Sequence, residues 1–213
     1  MYSKSETTIA TILSAAEKLF HVRQYADVSM GDIAEAAGVT KGALYHHFRS
    51  KKELYLAMMH ADLKEKQARM RAGVESGGAS YDRLRRLTES FMQQPTEKRE
   101  LIKLVRRDVN IFKGTTRDKL VRAYQAALPD QVEVIIRDGI RNGELADADP
   151  QLLAWMFVAI VEVALTAYAE RVLGSHATLL DFVLDLFFHG AGKPSARSTS
   201  NLKARAARAV VST

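Results

Sequence analysis

The sequence predicts an all-α protein, on three observations. Apolar residues recur at helical spacing through most of its 213 residues, only four prolines interrupt them, and the clearest break is a short glycine- and serine-rich joint at residues 73–80. The expected architecture is a three-helix helix-turn-helix head at the N-terminus followed by a helical bundle, about nine helices in all. A hydrophobic fraction of 47% is enough for a full core. The absence of cysteine excludes a disulfide framework and any thiolate metal site.

The first predicted helix covers residues 7–20, with Ile9, Ile12, Leu13, Ala16, Leu19 and Phe20 on one stripe. Ser29 is a good N-cap for the second, and Asp32 stands three residues on to answer it as a capping box. Gly38 ends that helix, because glycine accepts the left-handed turn that closes a helix C-terminus. Only Val39 and Thr40 separate it from a third helix carrying Leu44, Tyr45 and Phe48. A fourth, long helix is expected over residues 52–71. Beyond the joint, helices are expected over residues 81–93, 97–112, 116–142, 150–173 and 178–189, with Pro129 kinking or dividing the long one. After Gly192 the composition turns to Ser, Ala, Arg and Thr, and residues 193–213 read as a basic, disordered tail.

The net charge of +6 is unevenly placed. The tail holds Lys193, Arg197, Lys203, Arg205 and Arg208 with no acid, and residues 36–52 hold Lys41, Arg49, Lys51 and Lys52 with no acid, so the rest of the chain is net acidic. A uniformly solvated surface does not concentrate charge in this way, whereas a nucleic-acid-binding surface does.

One of those basic segments coincides with the strongest motif. Ile33 and Ala37 on one helix are spaced to face Leu44 and Phe48 on the next, Ala34 permits close approach, Gly38 turns the chain and Val39 fills the angle. Thr40, Lys41, Gly42, Ala43, Tyr45 and His46 then point outward from a helix whose N-terminal half fits a major groove. The adjacent pair His46 and His47 makes a poor joint metal site, since neighbouring helical residues point roughly 100° apart. No metal and no cofactor is expected.

The segments Ile33-Ala34, Ala37-Gly38-Val39-Thr40, Lys41-Gly42, Leu44-Tyr45-His46-His47-Phe48 and Ser50-Lys51-Lys52-Glu53-Leu54 resemble the TetR family of bacterial transcriptional regulators. The resemblance implies a role for each matching residue. Ser29 would touch phosphate, Thr40, Lys41, Gly42 and Ala43 would lie at or near base edges, Tyr45 and His46 would contact backbone or bases, and Lys51 would clamp phosphate. His47 would be buried or on phosphate. Gly42 and Ala43 are too small to read many bases, so specificity would rest mainly on Lys41, with His46.

In the body, residues 150–173 hold the longest apolar run, interrupted by Glu162. The run sits at the lower edge of a membrane span, but it has no basic flank or aromatic belt, so it reads as a helix buried on both sides. Residues 178–189 repeat the signal. Two such helices meeting their symmetry mates would form a four-helix interface, which the resemblance also implies. A two-fold dimer would set the two recognition helices about 34–36 Å apart, one turn of a palindromic operator. The resemblance puts an effector pocket among the fourth to eighth helices. Phe91, Leu104, Asp108, Phe112, Tyr124, Trp155, Met156 and Glu162 are its candidate lining. A buried carboxylate needs a partner, so Asp108 and Glu162 either face a ligand or the dimer mate, or are salt-bridged.

No glycine-rich phosphate loop, nucleophile elbow, His-Glu-x-x-His or defensible pair of carboxylates is present, so an enzyme is not expected. The N-terminus lacks the layout of a signal peptide, and a cytoplasmic protein with no membrane association is expected. The reading is a homodimeric repressor, released from double-stranded operator DNA by a small hydrophobic molecule. Residues 1–52 would bind DNA, 53–192 would bind the effector and dimerise, and 193–213 form the tail. The alternative is an effector-independent DNA-binding or protein-interaction dimer with no pocket.

Overall fold

The computed structural model describes residues 4–191, and the expected disordered tail lies outside them. All regular structure among the described residues is helical, as eleven α-helices rather than about nine. They are α1 (Lys4–Val22), α2 (Met30–Ala36), α3 (Lys41–His47), α4 (Lys51–Val74), α5 (Ser80–Met92), α6 (Thr96–Asp108), α7 (Gly114–Ala127), α8 (Pro129–Arg141), α9 (Pro150–Ala164), α10 (Ala167–Leu173) and α11 (His176–Ala191). Short 3-10 turns at Tyr25–Asp27 and Val109–Ile111, which the periodicity does not reveal, add two further pieces.

Local chemistry sets most of the boundaries. Ser29 and Asp32 form the expected capping box, with the Asp32 amide donating to Ser29 Oγ (3.1 Å) and the Ser29 amide to Asp32 Oδ2 (2.9 Å). Gly38 takes φ +65° after α2, where a Cβ would be strained. Thr40 Oγ1 accepts the Ala43 amide (3.1 Å) and starts α3, and extended backbone at Phe48 stops it. Ser50 caps α4 by accepting the Glu53 amide (3.2 Å), while the Glu53 carboxylate accepts the Arg49 amide (2.9 Å). Pro129 divides the long predicted helix by opening α8.

One expected helix is in fact two. The apolar run over residues 150–173 breaks after Ala164, and α9 and α10 meet at 76°. Thr166 makes the break by capping α10, its Oγ1 accepting the Ala169 amide (3.4 Å) and donating to the Val163 carbonyl (2.8 Å). Among the described residues no single helix is long and apolar enough to cross a membrane.

The chain forms two compact units. The first joins the residues up to Ala72 with Ser90–Gln131, and the second joins Gly73–Glu89 with the residues from Val132 on. In the first, Ile12, Ala16 and Phe20 of α1, Ile33 of α2, Leu44 of α3, and Leu54, Tyr55, Met59 and Leu63 of α4 are fully buried. Phe20, Tyr25, Tyr55 and Phe112 form an aromatic cluster there, with Phe20 and Tyr55 edge-to-face at 4.7 Å. In the second, Leu84, Ile135, Ile136, Ala154, Leu179, Val183 and Leu184 are buried, and Phe157 meets Phe187 edge-to-face at 5.0 Å.

Candidate nucleic-acid interface

The helix-turn-helix is built from buried apolar anchors and exposed polar groups. Ile33, Ala34, Leu44 and Phe48 are buried and hold α2 against α3, while Ala37 and Val39 are half-buried at the angle. Thr40, Lys41, Gly42, Tyr45 and His46 are exposed, and Ala43 is half-buried. Tyr45 stands 50% exposed although an aromatic ring normally seeks cover. A Cβ built on Gly42 would meet only Thr40 Oγ1, at 3.9 Å. The Lys41 side chain lies back beside Gly31 of α2, where an added Cβ would stand 3.2 Å from its Cε. Ser29 is exposed at the start of α2, on the same unit.

Two ionic features stiffen this region. Asp32 pairs with Arg23 (3.3 Å), and its hydrogen bonds from Ser29, helped by Arg23, hold its carboxyl below the usual carboxylate range. Lys51, expected on phosphate, points its ammonium inward. It donates to the carbonyls of Tyr25 (2.7 Å), Val28 (2.8 Å) and Ala26 (3.3 Å), and lies 4.6 Å from the Tyr25 ring centroid. An ammonium has three protons, and all three are used here. Sequence reasoning missed this clamp because its acceptors are main-chain carbonyls more than twenty residues away.

The eight candidate pocket residues fall in both units. Phe91, Leu104, Asp108, Phe112 and Tyr124 are buried in the first. Asp108 accepts from Tyr55 Oη (2.5 Å) and from the Arg107 guanidinium (2.7 Å to each oxygen), so its charge is matched within the chain. Burial raises the Tyr55 hydroxyl far above its ordinary value, and the Asp108 hydrogen bond adds to it. Trp155, Met156 and Glu162 belong to the second unit. Met156 is 52% exposed, in a stripe along α9 with Leu152, Ile160 and Val163. Beside it, Phe182 and Leu186 of α11 and Tyr168 and Val172 of α10 are also exposed, around an apolar groove of about 490 Å³.

Residues 12–58, from α1 into α4, match the family model described as bacterial regulatory proteins, tetR family, and residues 77–169 match a tetracyclin repressor-like C-terminal domain. The chain belongs to the TetR family. Within it, this chain is similar to the HTH-type transcriptional regulator TtgR of Pseudomonas putida, 46% identical over 56 residues that make up 26% of this chain and 27% of that regulator. The match thus spans about a quarter of that relative. A longer likeness, 25% identical and covering 70% of this chain and 78% of the other, is to the HTH-type regulator YhgD of Bacillus subtilis. The fold is shared with AibR, whose crystal structure holds isovaleryl coenzyme A and operator DNA, at a TM-score of 0.71 and 21% identity over 84% of this chain and 97% of that one.

Proposed function

We propose that this TetR-family chain is a DNA-binding transcriptional repressor acting as a homodimer in the cytoplasm, released from a palindromic operator by a small hydrophobic molecule. The observation that carries the reading is the exposed end of α3. A short helix is capped at Thr40 and anchored by buried Leu44 and Phe48, and it offers Lys41, Gly42, Tyr45 and His46 to solvent. An α-helix held in this way fits the major groove. Ser29, Thr40, Lys41, Gly42, Ala43, Tyr45 and His46 form the proposed DNA face. Lys51 supports that face from behind. We assign DNA binding to residues 1–52, and effector binding and dimerisation to residues 53–192.

The dimer uses the apolar surface of α9, α10 and α11. Leu152, Met156 and Val163 recur along one side of α9, as Phe182 and Leu186 do along α11, and solvent exposure of so many large apolar residues marks an interface. Met156 therefore belongs to this face rather than to an effector pocket. Effector release rests on the family and on the ligand held by AibR. A specific observation favours the second reading, an effector-independent dimer: Asp108 is satisfied by Tyr55 and Arg107 and has no need of a ligand. Thermal melts across a library of lipophilic compounds separate the two, because a ligand bound only by the folded state raises the melting temperature by mass action.

Replacing Lys41 by Ala tests the DNA face. Operator affinity, read by fluorescence anisotropy against salt, should fall on the order of tenfold or more, with sequence preference relaxed and the dimer intact. Unchanged affinity would refute this assignment of the recognition helix.

A further inference from the structure

Where α1, α4 and α6 come together, the first unit carries an open cleft of about 790 Å³. Leu13 and Val22 of α1, Met58 and Ala61 of α4, and Pro95 give it apolar walls. None of the eight candidate pocket residues lines it.

Asp62 also lines it, and it is only 4% exposed. Its Oδ1 accepts from Lys66, which is 1% exposed and lies one helical turn on. Its Oδ2 is buried and, among the described residues, has no hydrogen-bond partner. A buried acceptor without a donor is unfavourable, and native structures seldom leave one unmatched. The rest of the polar lining does not supply the donor. Lys98 is held by Glu17 (2.9 Å), and Glu65 brings a further carboxylate to the cleft. A cleft with apolar walls, an unmatched carboxylate oxygen and two further carboxylates disfavours an anion. A purely hydrocarbon molecule would leave Oδ2 as it is.

We infer that this cleft binds a lipophilic amine, with the ammonium donating to Asp62 Oδ2 and the hydrocarbon body lying along α1 and α4. A hydroxyl would match the hydrogen bond but not the charge. Burial pushes the Asp62 carboxyl up, and a neighbouring cation opposes that shift.

The test is isothermal titration of the full chain, without DNA, with octylamine, and with 1-octanol and octanoate as chain-matched controls. Leaving DNA out separates failure here from failure of the repressor reading. Octylamine should bind at one site at least tenfold tighter than either control. Two variants locate the site. Asp62→Leu with Lys66→Met replaces the buried pair by apolar groups, an exchange that folded proteins tolerate, and should abolish the preference for the amine. Ala61→Trp, at an exposed wall position, fills the cleft, leaves the ion pair intact and should remove binding. The proposal is overturned if octylamine does not bind, if a control binds as tightly, or if both variants bind octylamine as the parent does.

Discussion

Gly42 has no packing reason to lack a side chain, since a methyl group there would touch only Thr40 Oγ1. Glycine inside a helix costs about 1 kcal/mol relative to alanine. Gly42→Ala should therefore raise stability by roughly 0.5–1 kcal/mol in a denaturant melt. If DNA passes close to this turn, the same variant should weaken operator binding; a stabilised variant with unchanged affinity would take Gly42 off the contact surface. Lys51 presents the opposite case. Lys51→Met keeps the stem but withdraws the ammonium from the carbonyls of Tyr25, Ala26 and Val28. The expected loss is about 2 kcal/mol of stability, the usual range for a buried charged hydrogen bond. The salt dependence of operator binding should stay as it is. A residue that clamped phosphate would instead flatten that dependence by about one unit and leave stability alone.

The second unit depends on a close approach between α8 and the start of α5. A Cβ on Gly139 would stand 2.9 Å from Ser80 Cβ and Oγ and 3.1 Å from Leu145 Cδ1. Around that point the Ser80 amide donates to Glu144 (2.5 Å) and Arg83 pairs with Asp138 (2.8 Å), whose carboxyl is held low by that guanidinium. Gly139→Ala must push these helices apart and should cost roughly 1–3 kcal/mol by chemical denaturation. Adding Ser80→Gly should recover part of the loss, because the two sites touch and their effects are coupled. Strict additivity in that double-mutant cycle would show that the two residues do not share this contact. The α9–α10 break teaches a related lesson. Apolar residues continue on both sides of it, so periodicity carries no mark of the bend, and only Thr166 as a capping residue betrays it.

For the assembled protein, the exposed apolar faces of α9, α10 and α11 carry the expectation of a dimer. Leu186 is half-exposed in the single chain, so Leu186→Glu should leave the fold intact and place a charge in the proposed interface. Light scattering coupled to size exclusion should show a monomer, and operator affinity should drop by about tenfold or more, since both half-sites need a head. A dimer that survives the change, with operator affinity preserved, would move the interface elsewhere on the molecule.

The helix-turn-helix was legible from residue order because its determinants are local: the caps at Ser29 and Thr40 reach three residues ahead, and Gly38 needs only its own φ. The all-α class and the outward set on α3 follow from spacing for the same reason. The surroundings of the charged groups were not legible. Whether Lys51 meets phosphate or carbonyls, whether Asp108 meets a ligand or Tyr55, and whether Asp62 and Lys66 are buried depend on chain segments that packing brings together from far apart in sequence. An apolar residue carries its preference for burial with it. A charge is stabilised by whatever dipoles and partners surround it, and folding supplies those.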